Sequence, residues 1–250
     1  MIGAASGSTS DTSPYRAGGY MIVRATERQE WMSADLLPAR VPSASECICP
    51  HFPESWAYIW PGDSDAYRRW MMEELGIPTE RLADVVIWLS EKGEESGAVE
   101  WPNSFLNLEN AREFIERFAP DLDLTLLGLA IHSSYLPKVQ ERIDLRSRAG
   151  FWAAIDTPRA LAPGGEPLGF ELLGHDSGGS GHSWICNGVE RTFYAETGIQ
   201  PNAAGLLPTQ EAADACLAYI DREQRAEPVP WFPWLLLRYP PISTAPGCTI

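Results

Sequence analysis

The run Leu122–His132, LDLTLLGLAIH, constrains this chain most. It is almost continuously apolar, lies between Pro120 and the pair Ser133-Ser134, and falls well short of the roughly twenty residues needed to span a bilayer as a helix. A run of that length and character reads as a strand buried on both faces. A second strand follows from Leu168, Phe170 and Leu172 alternating with Gly169 and Glu171, a half-buried pattern ending near Gly174. Tyr20–Arg24 opens the first strand. Pro228–Pro241, with its WLLLRY core, reads as an extended segment that its prolines place at a sheet edge.

Amphipathic helices fill the intervals. Asp63 caps a run from Ala66 to Leu75 that Gly76 and Pro78 stop. Thr79 caps a second, through about Leu89, with Leu82, Val85, Val86 and Leu89 on one face. A third starts at Asn107 or Leu108 and carries Ala111, Phe114, Ile115 and Phe118 before Pro120. Thr209 caps a fourth to about Arg225, with Ala212, Ala215, Cys216, Tyr219 and Ile220 inward. Gln29–Leu37 reads as one short helix and Glu91–Glu100 as a charged loop. The expected class is α+β, a mixed sheet with several amphipathic helices packed against it.

At 250 residues the chain is long enough for a substantial core. Residues 1–20 are Gly/Ser/Thr-rich and read as a disordered leader, with Met21 as an alternative start. Residues 21–250 form a single globular domain, or two lobes joined near 157–167, where TPRALAPGGEP marks a connector. Acids outnumber bases 34 to 19, a net charge of −15, and Lys92 and Lys138 are the only lysines. Such a charge either serves solubility alone or repels nucleic acid and anionic membranes and attracts basic partners. Five cysteines without framework spacing, no signal peptide and no membrane-length apolar run point to a reducing cytoplasm.

The chemically suggestive stretch is Leu168–Asn187, LGFELLGHDSGGSGHSWICN. Beyond its strand, Gly178, Gly179, Ser180 and Gly181 form a loop. Ile185, Val189 and Phe193 then recur every four residues, which suits a helix with Ser183 as N-cap and Gly198 just past its end. The rival reading makes Asn187-Gly188 a hairpin turn. In the helical reading the loop is an anion-binding candidate, facing free N–H groups and the positive end of the dipole. The chain has no Walker A sequence and no GxGxxG, and Gly181-His182-Ser183-Trp184-Ile185 lacks the final glycine of a nucleophile elbow. His182 and Cys186, four apart, would share a helix face. That permits a cysteine nucleophile with His182 or His175 as base and Asp176 as orienter.

Other candidates carry less chemistry. Cys47-Ile48-Cys49-Pro50-His51 is poorly spaced for zinc, so neither a metal nor a cofactor is expected. His132, at a strand end, is either an acid/base candidate or a hydrogen-bonded structural histidine. Trp56, Tyr58 and Trp60 are either core or a stacking surface for a partner.

The segments GFELLGHD, HSWICNG and TGIQPNAAGLL, together spanning about Leu168–Leu207, resemble uncharacterised bacterial proteins with the character of immunity proteins from toxin–immunity gene pairs. The resemblance implies an acidic cytoplasmic protein that binds and masks a basic toxin domain. The alternative is a cysteine-dependent hydrolase or transferase using Cys186 with His182.

Overall fold

A computed structural model describes residues 13–45, 47–49, 51–52, 69, 72–73, 75–96, 99–100, 104–143, 155, 159–175, 181–223 and 226–240. Its strands are β1 (Tyr15–Val23), β2 (Thr26–Glu27), β3 (Arg40–Val41), β4 (His51–Phe52), β5 (Val99–Glu100), β6 (Ser104–Phe105), β7 (Thr125–His132), β8 (Glu166–His175), β9 (Gly181–Ser183) and β10 (Trp231–Tyr239). The helices are α1 (Leu82–Ser96), α2 (Leu108–Phe118), α3 (Leu136–Arg142), α4 (Val189–Thr197) and α5 (Gln210–Glu223). The fold is α+β. The main sheet runs β5-β6-β1-β7-β10-β8-β9, with β4 also on β1 and a separate β2-β3 pair. Every pairing described is antiparallel.

Helices cover both faces of the sheet. β1 sends Tyr20 and Ile22 to one core and Met21 and Val23 to the other. The first core is closed by Leu82, Val85 and Trp88 of α1 and by Leu108, Ala111, Phe114 and Phe118 of α2. The second is closed by Val139 of α3, Val189 and Phe193 of α4, and Cys216, Tyr219 and Ile220 of α5. β7 is buried from Leu126 to Ile131 and contributes to both cores, so the two helix-rich parts are opposite faces of one sheet and not two lobes. The helix starts follow local chemistry. Asn107 accepts a hydrogen bond from the Asn110 amide at 3.0 Å, and Thr209 Oγ1 accepts one from Ala212 at 3.2 Å.

The segment read as a leader contains residues 15–20, most of β1, paired from Tyr15↔His132 onward. Its glycines looked like disorder, but Gly18 lies beneath Trp234, where a Cβ would sit 2.4 Å from Cζ3. Composition cannot distinguish a glycine that is loose from one that is close-packed. β10 is not an edge strand: it lies between β7 and β8. Pro233 pairs with Leu172 of β8, whereas the β7 ladder begins one residue later at Trp234↔Ile131, so the missing N–H falls at the end of that ladder. Residues 29–37 form successive turns instead of a helix, with Met32 donating to Gln29 and both Leu36 and Leu37 to Ser33. The Glu91–Glu100 segment is helical through Ser96. In α5, Ala215 faces outward. The expected start of the Asp63 helix lies outside the described residues; Met72 to Leu75 precede Gly76, at φ +81°.

Candidate functional site

The site is built over β8. Glu171 sits mid-strand and is fully buried. Its carboxyl accepts the Ser43 hydroxyl at 2.5 Å and the Ala44 amide at 2.9 Å. Burial pushes its pKa up to about 7, against the pull of those hydrogen bonds. The half-buried strand reading had aimed Glu171 at solvent. Instead the segment 43–49 covers it, and this buried acid is what anchors that segment to the sheet.

Above Glu171 the segment turns about Ser45. The Ser45 hydroxyl donates to the Gly181 carbonyl at 2.6 Å, and its carbonyl accepts the amides of Ile48 and Cys49 at 3.0 and 2.9 Å. This turn brings Cys47, exposed, to His182 on β9, with Sγ 3.5 Å from Nδ1. The Cys186 thiol lies near enough to Cys47 to act on it. That interaction, with help from Ser45 and His182, outweighs burial and lowers the Cys47 thiol to about 6. The same interaction, reinforced by burial, pushes the Cys186 thiol up. Cys47 is therefore the thiol of the pair that ionises: it is the more exposed and faces the imidazole.

The structure redistributes the roles read from the sequence. His182 lies on a strand, not on a helix face with Cys186. Residues Trp184–Asn187 form a single 3-10 turn, capped by the Ser183 hydroxyl, and Gly188 at φ +63° breaks it from α4. The Asn187-Gly188 pair thus makes neither a hairpin nor a continuous helix. Ile185, Val189 and Phe193 are nonetheless all buried, as their spacing predicts. Gly178, Gly179 and Ser180 lie outside the described residues, as does Asp176. Gly181 enters strand β9, so the loop does not lead into a helix N-terminus and the dipole argument for an anion site does not apply. His175 is buried, and its Nε2 accepts the Trp234 indole N–H at 3.1 Å. Burial lowers its pKa to about 3, which suits a neutral core histidine better than a base. His132 contacts the Ser134 hydroxyl at 2.7 Å and packs edge-on against Tyr15.

Cys49 is buried, and its thiol donates to the Val41 carbonyl at 3.1 Å. Among the described residues, no group of three or more metal-ligating side chains forms a metal site. A cavity of about 490 Å³ opens between Arg40, Glu166, Asn202 and Arg238, but its arginines are held by Asp123 and Glu166 at 2.5 and 2.7 Å. Trp56, Tyr58 and Trp60 lie outside the described residues. Among the described residues, the exposed aromatic is Trp31, at 51%. Its turn is tied to α4 by Ser33, which donates to the buried Glu190 at 2.8 Å and accepts Arg191 Nε at 3.2 Å. Exposed acids lie along the same side of the sheet: Glu30 and Asp35 on the turn, Glu196 on α4, and Glu211, Asp214 and Asp221 on α5.

The sequence reading weighs Cys47 only as part of a poorly spaced metal cluster, and misses Glu171 and Trp31 as site residues. A carboxylate between Phe170 and Leu172, in a segment flanked by Leu173, was the available signal for Glu171. Nothing local pairs Cys47 with Cys186 or His182. Comparison with protein-family models, with curated proteins and with solved structures found no match. No helix among the described residues is long and apolar enough to cross a membrane.

Proposed function

We propose that this chain is a protein-binding protein of the immunity type, which masks a basic partner through an acidic face anchored by an aromatic side chain. The observation that carries the reading is the exposed Trp31, held on a turn pinned to α4, in a molecule of net charge −15. Exposed carboxylates on the turn and on α4 and α5 supply a field that steers a positively charged surface inward. A large, half-exposed indole on a fixed turn is the kind of anchor that dominates interface energies. A reducing cytoplasm and a toxin domain as the masked partner belong to the same proposal.

Affinity capture from the native host, followed by reconstitution with the purified captured protein, tests it. A basic partner whose binding weakens at least about tenfold, or 1.4 kcal/mol, on Trp31→Ala supports the reading. A specific partner that is acidic, or that binds Trp31→Ala as tightly as wild type, removes its basis.

A further inference from the structure

We propose that Cys47 and Cys186 form a thiol–disulfide exchange site, in which Cys47 attacks a small disulfide and Cys186 resolves the product into a Cys47–Cys186 bond. The His182 imidazole lies 3.5 Å from the Cys47 sulfur, the Cys186 thiol is near enough to Cys47 for the two to act on one another, and Cys47 is exposed where Cys186 is half-buried. An accessible attacking sulfur backed by a less accessible resolving one is the arrangement that exchange requires. Neither sulfur sits in a strand ladder. Cys47 is on the turn held by Ser45, and Cys186 is on the single 3-10 turn that ends at Gly188. The other two thiols in the described region differ. Cys49 is buried and donates to Val41, and Cys216 is buried in the α5 core.

The chemistry balances with a low-molecular-weight disulfide as oxidant. The Cys47 thiol gives its proton to His182, and its thiolate attacks one sulfur of the small disulfide. The S–S bond breaks, one small thiolate leaves and takes up that proton, and a mixed disulfide remains on Cys47. Cys186 then loses its proton to His182 and attacks the Cys47 sulfur, expelling the second small thiolate, which is protonated in turn. The protein loses two hydrogens and two electrons, and the small disulfide becomes two thiols. The bond ties the 43–49 segment to the start of α4 across the end of β9. It thereby joins residues distant in sequence, so the oxidised form resists unfolding more than the reduced one. The lowered Cys47 thiol favours the first step near neutral pH.

The test is anaerobic incubation of the reduced full chain with oxidised glutathione, read by intact mass and by peptide mapping of the wild type. The expected product is the Cys47–Cys186 bond, with Cys49 and Cys216 still reduced. Cys186→Ala should stop at a glutathione adduct on Cys47, and Cys47→Ala should slow reaction of the remaining pair by about tenfold or more. His182→Ala, checked for an unchanged fold by circular dichroism, should slow the first step. A lasting glutathione adduct on wild-type Cys47, first reaction at Cys186, or reaction at Cys49 or Cys216 ahead of Cys47 would overturn the proposal. Because the wild-type map decides the outcome, a variant that fails to fold does not leave the question open.

Discussion

Replacing Glu171 by Gln should change stability with a sign that depends on pH. In the folded chain the carboxyl is fully buried and titrates near 7, against about 4.5 when exposed. A folded pKa above the unfolded one means the native state binds the extra proton. Its stabilising contribution is therefore complete below about pH 4.5 and is lost as pH rises through 7. At about 1.4 kcal/mol per unit, the shift makes the wild type lose roughly 2–3 kcal/mol between pH 5 and pH 8 through this group alone. Gln does not titrate, so it escapes that loss. It keeps one acceptor for the Ser43 hydroxyl or the Ala44 amide but not for both, at a cost of about 1–2 kcal/mol at every pH. The difference between variant and wild type should thus move in the variant's favour by roughly 2–3 kcal/mol from pH 5 to pH 8, from a deficit at the acid end. Urea denaturation at both pH values measures it, and taking the difference cancels the other titrating groups. A deficit that is the same at pH 5 and pH 8 would show that Glu171 does not titrate in this window and that the account of its burial is wrong.

Gly18→Ala should destabilise by about 1–3 kcal/mol, because the new methyl would lie 2.4 Å from the Trp234 ring; an unchanged melting temperature would mean that Trp234 moves aside freely. Deleting residues 1–19 should lower the melting temperature by several degrees, since it removes the Tyr15–Ala17 pairs with β7; a truncated chain that melts with the full one would contradict that pairing. Cys216→Ser should cost about 1–3 kcal/mol by placing a hydroxyl in the α5 core, with partner binding intact. Unchanged stability with lost binding would place Cys216 in the interface instead.

What the sequence disclosed was periodic. β7 showed as a continuous apolar run because both its faces are covered, and α2 showed through Ala111, Phe114 and Phe118 with Asn107 as its cap. What it concealed was tertiary. β10 carries Pro233 in the sheet interior because only one neighbour pairs there, a circumstance no local pattern records. Gly18 looks the same as a linker glycine until Trp234 is laid over it. The spacing of His182 and Cys186 suggests a shared helix face, but His182 lies on β9 and Cys186 on a separate 3-10 turn. Gly188 ends the 3-10 turn, and Cys47, far away in sequence, is delivered by the Ser43–Glu171 and Ser45–Gly181 hydrogen bonds. The exposed Trp31 could not be told from the chain's other tryptophans, most of which, where described, are buried.

Binding of a basic partner by the proposed acidic face is tested most directly by the rate of association of the purified pair as a function of ionic strength. That rate should fall steeply as salt is raised, with dissociation little affected, because screening removes steering between separated charges. Asp214→Lys combined with Glu211→Lys should slow association further at low salt. Cys186→Ala should leave affinity within about tenfold, or 1.4 kcal/mol, of wild type. An association rate indifferent to both salt and these charge reversals would contradict the claim.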